Sequence, residues 1–459
     1  MPLIPPRVHF IGIGGAGMSG IARVLLETGT AVSGSDLKKS VVTDQLQANG
    51  ARVFYGHSPG NIDDADVVVV SSAVPPDNVE VVAAKRRGIP VIPRAEMLAR
   101  LMRRQKGIAI AGAHGKTTTT AMVSLVLERA GLDPTIVIGG ELPEIGGNAK
   151  AGKGEYLVAE ADESDGSFLL LDPEIAVVTN VENDHLDYYR TVENIEETFR
   201  QFISRIPPGG VAILCCDDPF LKRLASETFV PVHTYGFNPD ADYRLANPVL
   251  SGLNSEADVF LRGDFLGRLC LSVPGRHNLL NGMAAVAVGI RVGLTFAEAT
   301  QALQGFRGVR RRFQILGDVG GVRVIDDYAH HPTEIRATLA GARQTGPERL
   351  IAVFQPHRYT RTFFLHKEFG AAFQDADVVI VNGIYSAGEK PIKGVSAKLI
   401  ADEIRSCSGK DPIELDTQEQ IVNYLASMVR PGDLVITLGA GDIWKSGVAL
   451  VKRLSVLGG

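Results

Sequence analysis

What most limits the fold of this chain is a unit that occurs twice early in the sequence: an apolar run, a glycine-rich turn, then a helical stretch. In the first, VHFIGI leads into Gly12-Ile-Gly14-Gly15-Ala-Gly17 and a helical run over residues 18–27. In the second, residues 108–111 lead into Gly112-Ala113-His114-Gly115-Lys116-Thr117-Thr118 and a helix over about 118–130. Strands that feed helices in this way build parallel sheets, and such sheets bind ligands at the carboxyl ends of their strands.

The alternation continues along the chain. AVSGSD, VVVVSS and IPVIP read as further strands of the first sheet, residues 156–159 and 175–179 as strands of the second, and VRVID, LIAVF, VVIVN and LVITL as a third group. At 459 residues the chain exceeds what one hydrophobic core usually supports, so three α/β domains are expected. The basic stretch Arg103, Arg104, Gln105, Lys106 marks a first linker, and the second boundary falls near Gln314. The expected division is a Rossmann-like domain over 1–105, a central P-loop ATPase-type domain over 106–314 and a Rossmann-like domain over 315–459.

A net charge of −5 provides no general field for nucleic acid or an anionic membrane, so anion sites must be local. Cys215, Cys216, Cys270 and Cys407 have neither metal-type spacing nor disulfide density and read as free thiols. The opening residues read as a first strand rather than a signal peptide, and no apolar stretch is long enough to span a bilayer. The expected compartment is the cytoplasm.

Backbone N–H groups freed by Gly12, Gly14, Gly15 and Gly17, at the start of a helix, favour a phosphate or pyrophosphate. Asp36, at the end of the next strand, is placed to accept from a ribose or base, so this motif alone reads first as an NAD site; the lesser alternative is a tight turn that binds nothing. The second loop is more specific. Gly115, Lys116 and Thr117 supply in order the N–H cradle, the ammonium for β- and γ-phosphates and the hydroxyl for Mg²⁺ that chemistry on ATP needs. Ile110 stands where a standard phosphate loop has its first glycine.

Glu160-Ala-Asp162-Glu163-Ser164-Asp165 follows a strand, which puts Glu160 where a hard cation would meet it; an acidic helix start would explain the later acids as well. Asn180-Val-Glu182-Asn-Asp184-His185 should emerge on the same sheet edge, where His185 can ligate a metal or cap a helix. Asn278 and Asn281 stand three apart at a helix start, fit for an adenine edge or for capping. Of Arg310, Arg311 and Arg312, one could reach a γ-phosphate; a solvated linker would look the same. Asp326-Asp327-Tyr328-Ala-His330-His331-Pro332 follows a strand and precedes a helix with Pro in its first turn. Arg358 and Arg361 share a face if their loop turns helical and could clamp a carboxylate.

Taken in order, IGIGGAGMSGIA, AGAHGKTTTT, EADESD, the N-x-x-x-D-H loop, PGRHNLLN, RRRF, DDYAHHPTE, FQPHRYTRT and GAGDIW resemble the Mur ligase family over nearly the whole chain, and its alanine-adding branch in particular. The resemblance implies an ATP- and Mg²⁺-dependent ligase of peptidoglycan precursor synthesis that joins L-alanine to the lactyl carboxylate of UDP-N-acetylmuramate, as a monomer or weak homodimer. It displaces the NAD reading: Gly12, Gly14, Gly15, Gly17, Ser19, Ser35, Asp36, Ser71 and Ser72 would face the UDP-sugar, with His114 near the muramyl group. It further implies that Gly112, Ala113, His114, Gly115, Lys116, Thr117, Thr118, Asn278, Asn281, Arg312 and Asp327 meet ATP. Thr117, Glu160 and His185 would hold the metal, and Tyr328, His330, Arg358 and Arg361 would surround L-alanine.

Two departures stand out. Ala113 replaces a usual threonine, and no lysine lies between Lys153 and Lys222 to serve as the carbamylated metal bridge of many relatives. The implied chemistry is an acyl phosphate formed on ATP, with Lys116, Glu160, His185 and His330 as the catalytic set and His330 assisting deprotonation of the amine. Domain closure would align the reactants and exclude water. The alternatives are a sister ligase that attaches a whole peptide, an NAD-dependent dehydrogenase, and a P-loop switch whose hydrolysis ignores sugar nucleotide and amino acid.

Overall fold

The computed structural model describes residues 3–457. The chain forms two compact units, the first made of residues up to Ala246 with Asp258–Leu269 and Leu280–Gln304, the second of Asn247–Ala257, Cys270–Leu279 and the chain from Gly305 onward.

The first unit contains two sheets. One has five parallel strands in the order Arg52–Tyr55, Ala31–Asp36, Arg7–Ile11, Val67–Val70 and Val91–Pro93. The order reverses between Arg7–Ile11 and Val67–Val70, and at such a switch point the chain leaves in opposite directions and opens a crevice. Phe10, Ile11, Val68 and Val69 are wholly buried, as expected of strands covered on both faces. Helix Ala16–Glu27 starts directly after the glycine loop and buries Met18, Ile21, Ala22 and Leu25.

The other sheet has ten strands. From its antiparallel edge the part that lies wholly in this unit runs Gly147–Lys150, Thr135–Leu142, Tyr156–Glu160, Lys106–Ala111, Ile175–Val178, Val211–Cys215 and Val232–Gly236. Lys106–Ala111 pairs in parallel with Tyr156–Glu160 on one side and with Ile175–Val178 on the other, so the turns that follow these three strands share one edge. The supposed first linker is divided: Arg103 caps helix Arg94–Met102, and Lys106 already pairs as the first residue of its strand. Helix Lys116–Arg129 begins two residues earlier than its pattern predicts because left-handed Gly115 (φ +83°) turns the chain straight into it.

The second unit is built on a six-stranded sheet ordered Gln314–Val319, Val322–Asp327, Asp433–Leu438, Arg349–Phe354, Val378–Val381 and Ile413–Glu414; only the first pair is antiparallel. Phe354, Phe369, Phe373, Ile335 and Ile404 fill one buried cluster, and Ile351, Val353, Ile421 and Leu450 fill another. Asp326 and Asp327 are the last residues of their strand rather than part of the loop after it. Among the described residues no helix is long and apolar enough to cross a membrane.

Candidate active site

In the central sheet the phosphate loop is braced from its neighbours. Asn180 accepts from Ala113 N through its carbonyl at 3.0 Å and from His114 N through its side chain at 2.9 Å, while Thr179 Oγ1 donates to His114 O at 2.6 Å. His114 Nε2 lies 3.3 Å from Glu182 Oε2. Thr119 Oγ1 donates to Asn281 Oδ1 at 3.1 Å, and a Cβ on Gly115 would lie 2.7 Å from that same oxygen, so a side chain there would push the Asn281 amide off this bond.

Lys116 Nζ folds back over the loop, donating to Gly112 O at 2.5 Å and Ala113 O at 3.1 Å, and ends on Glu163 Oε1 at 2.7 Å. Burial works against the ammonium, but the field of Glu163, with Asp162 and Glu160, outweighs it and holds the lysine above its usual range. Burial likewise pushes the Glu163 carboxyl up to about 7, against the pull of Lys116. Its other oxygen, Oε2, is buried and has no hydrogen-bond partner among the described residues.

Glu160 closes its strand with Oε1 accepting from Gly139 N at 2.8 Å. His185, in left-handed backbone (φ +57°), brings Nε2 within 3.8 Å of Glu163 Oε1. A buried carboxylate oxygen without a partner on Glu163, with an imidazole within 3.8 Å of its other oxygen, is the hard donor chemistry a divalent cation accepts, so Glu163 and His185 suit the magnesium the sequence implies, whereas Glu160 is engaged by Gly139 N.

The amino-terminal loop is built differently. Gly12 N and Ile13 N donate to Ser35 O at 2.8 and 3.0 Å, and Gly14 N donates to Asp36 Oδ2 at 2.9 Å. The carboxylate expected to meet a ribose thus closes the glycine loop itself. The Ser35 side chain turns inward, wholly buried, and donates to Glu80 Oε2 at 2.6 Å, so Ser35 supports the loop through its carbonyl and presents no hydroxyl to a ligand, contrary to the expectation from sequence. Glu80 also accepts from Asn61 Nδ2 at 2.5 Å and Ser58 N at 3.2 Å, with His9 Nε2 at 3.6 Å. Burial raises the Glu80 carboxyl, but His9, Ser35 and Asn61 overcome it and hold the group at about 2. Ser71 and Ser72 follow strand Val67–Val70 at the switch point, with Ser72 exposed. Ser19 Oγ accepts from Asn148 Nδ2 at 3.2 Å.

In the second unit Tyr328, His330 and Arg361, expected around the amino acid, are linked by contacts that run through His357. The rings of Tyr328 and His330 lie 5.4 Å apart, His330 and His357 5.6 Å, and His357 stacks on Tyr385 at 5.8 Å. The guanidinium groups of Arg311 and Arg312 lie 4.9 and 5.1 Å from the Tyr328 ring centre. Arg358, at φ +70°, is the residue before helix Tyr359–Gly370, which puts Arg361 in its first turn, 3.4 Å from His357 Nδ1. Asp327 accepts from Phe313 N and Ala329 N, both at 2.7 Å, and burial raises its carboxyl to about 6 against the pull of Arg312. Asn278 Nδ2 donates to Pro274 O at 2.7 Å, a local bond at the helix start.

Two participants escaped the sequence. Tyr385 lies far along the chain as a single bridge residue paired with His357, outside any strand or helix and with no pattern of its own. Arg94, directly after strand Val91–Pro93, was detectable by the carboxyl-end rule; its guanidinium donates to Asp162 Oδ2 at 2.9 Å.

Three family profiles match in succession: the Mur ligase catalytic domain over residues 7–106, the Mur ligase middle domain over 110–289, and the Mur ligase glutamate ligase domain over 311–441. A UDP-N-acetylmuramate–L-alanine ligase of Pelotomaculum thermopropionicum is 61% identical over 98% of this chain and 97% of its own length. That of Geobacter sulfurreducens is 52% identical over 98% of this chain and 97% of its own. The crystal structure of the Thermotoga maritima UDP-N-acetylmuramate-alanine ligase superposes with a TM-score of 0.84 at 31% identity, covering 98% of this chain and 99% of that one. A murein peptide ligase of Psychrobacter arcticus shares the fold at 24% identity, with a TM-score of 0.72.

Proposed function

The chain belongs to the Mur ligase family, and from that premise we propose that it is the ATP-dependent ligase joining L-alanine to the lactyl carboxylate of UDP-N-acetylmuramate, in peptidoglycan precursor synthesis. The observation that carries the reading is the Lys116 ammonium, buried over the phosphate loop and held against the acidic loop that follows the adjacent strand. A carboxylate does not react with an amine at neutral pH without activation. Its oxygen attacks the γ-phosphorus, ADP leaves, and the acyl phosphate so formed is attacked by the amine of alanine with loss of phosphate and a proton. Lys116 stabilises the charge that builds on the transferred phosphoryl group.

Magnesium, which Thr117, Glu160 and His185 would hold in this reading, would supply further charge neutralisation on the phosphate oxygens, and the unpartnered Glu163 Oε2 beside His185 supports a cation there. In this reading His330 takes the amine proton through Nε2, and what supports it is that its Nδ1 side is engaged by Tyr328 O at 2.9 Å and Glu334 Oε2 at 3.3 Å. In this reading residues 1–105 hold the UDP-sugar, 106–314 ATP and 315–459 the amino acid, all in the cytoplasm. A sister ligase that attaches a peptide would share every feature except the size of the amino-acid site, and the named relatives over 50% identical favour alanine.

The test is phosphate release with UDP-N-acetylmuramate present and L-alanine, glycine, L-serine or a tripeptide supplied singly. Release that depends on both the sugar nucleotide and alanine supports the reading. Release with peptide alone assigns the sister activity, and release indifferent to both acceptors overturns it.

A further inference from the structure

Arg94 lies between the two glycine loops. It opens helix Arg94–Met102, and a Cβ on Gly17 would lie 2.8 Å from its Nη1 and 3.2 Å from its Cζ, so its guanidinium rests against the first turn of helix Ala16–Glu27, where the sugar-nucleotide loop ends. Its Nη2 donates at 2.9 Å to Asp162 Oδ2, two residues past Glu160 in the acidic loop of the phosphate site. Asp162 in turn accepts from Ser164 N at 3.1 Å, and its charge is felt by Lys116 as well as by Arg94. One carboxylate is thus shared between a cation on the sugar-nucleotide loop and the cation of the ATP loop.

We propose that Arg94 and Asp162 form a coupling pair: Arg94 is a positioning residue for the diphosphate of the UDP-sugar, and Asp162 holds it until that diphosphate arrives, so that occupancy of one loop is felt at the other. A guanidinium prefers a bidentate phosphate to a partly exposed carboxylate, and a diphosphate on the N-terminus of helix Ala16–Glu27 lies within its reach. Drawing Arg94 toward the diphosphate removes the neutralising partner of Asp162 and leaves its field to Lys116 alone. The two ligands then alter each other's affinity by the same factor, as linkage requires.

The inference rests on the UDP-sugar reading of the first loop, and calorimetry with UDP, UDP-N-acetylmuramate and ATP tests the two separately. In the wild-type protein the Kd for ATP is expected to change several-fold when UDP-N-acetylmuramate is saturating, and that ratio is expected to fall to about one in both Arg94→Lys and Asp162→Asn. For UDP-N-acetylmuramate alone, Arg94→Ala is expected to weaken binding about tenfold or more and Asp162→Asn to tighten it a few-fold, while the double variant matches Arg94→Ala because Asp162 acts only through Arg94. Asp162→Asn is isosteric and Arg94→Lys keeps the charge, so thermal melting of both serves as the folding control. A wild-type ratio of one, or a ratio unchanged in the variants, overturns the coupling while leaving the ligase reading intact. A protein that binds neither UDP nor UDP-N-acetylmuramate overturns both.

Discussion

The two glycine loops of the first unit share a plan and differ in their chemistry. Each leaves the carboxyl end of a parallel strand paired on both sides and runs straight into a helix, Ala16–Glu27 in one case and Lys116–Arg129 in the other. The amino-terminal loop spends its early N–H groups on Ser35 O and Asp36 Oδ2 and carries no charged residue of its own. The central loop spends its early N–H groups on Asn180 and carries a lysine whose charge is returned over the loop and tied to Glu163. In the proposed reading the same backbone device serves a site that holds and a site that reacts, and the difference lies in one ammonium and the acids around it.

Lys116→Ala is the strongest test of that contrast. Loss of the ammonium should reduce alanine-dependent phosphate release by about 10³-fold or more, while the Kd for UDP-N-acetylmuramate moves less than about threefold. A comparable loss of sugar-nucleotide binding would mean that the loops do not divide binding from chemistry. The converse substitution is Gly14→Ala. Its new methyl would sit 2.9 Å from Asp36 Oδ2 and 3.1 Å from Thr43 Cγ2, forcing open the hydrogen bond that closes the first loop. The KM for UDP-N-acetylmuramate should rise roughly tenfold, about 1.4 kcal/mol of binding, with kcat reduced far less. A fall in kcat with KM unchanged would place the first loop in the chemical step.

How much of this was legible in the sequence follows the same division. Strand-loop-helix units announce themselves locally, because apolar runs buried on both faces and glycines at positive φ leave a pattern within a few residues: Gly112, Gly115 and Lys116 were readable in this way, and so was Glu160 at its strand end. The partner of each charge was not. Arg94 meets Asp162 across 68 residues and Lys116 meets Glu163 across 47, and nothing local distinguishes those pairings from solvated charges. Ser35 shows the opposite case, since the family resemblance implied a ligand contact for it, whereas the pleat turns its hydroxyl into the core toward Glu80. Asp36 was placed correctly on the loop edge, but its partner is the loop's own N–H.

The buried carboxylates sharpen the comparison through pH. Glu80, beneath the first loop, is held at about 2 against an ordinary 4.5, so the folded state binds its proton more weakly than the unfolded chain does. Its contribution is complete above about pH 4.5 and drains as pH falls toward 2. Asp327, in the second unit, is raised to about 6 from 3.8, and its effect has the opposite sign: stability is fully present below about 3.8 and declines as pH rises through 6. Glu80→Gln should cost about 1–3 kcal/mol at pH 7 by chemical denaturation, and the difference from wild type should narrow at pH 3. Asp327→Asn should instead remove a decline in stability between pH 4 and 6. Identical pH profiles for the two variants would show that the buried network under the first loop does not hold Glu80 ionised.

The smallest effect is expected at Ala113. The contact this residue makes in the loop is through its backbone, with N donating to Asn180 O and O accepting from Lys116 Nζ, and neither bond depends on a side chain. A threonine there adds a hydroxyl beside a lysine that already has three acceptors, Gly112 O, Ala113 O and Glu163 Oε1, equal to the three protons of its ammonium. With no unfilled donor on Lys116 to recruit it, Ala113→Thr should change the KM for ATP by less than about threefold and kcat by no more, within about 0.7 kcal/mol. A gain of tenfold in kcat/KM for ATP would show that the resting pairing of Lys116 is abandoned when ATP binds, freeing the ammonium for a partner that this loop lacks.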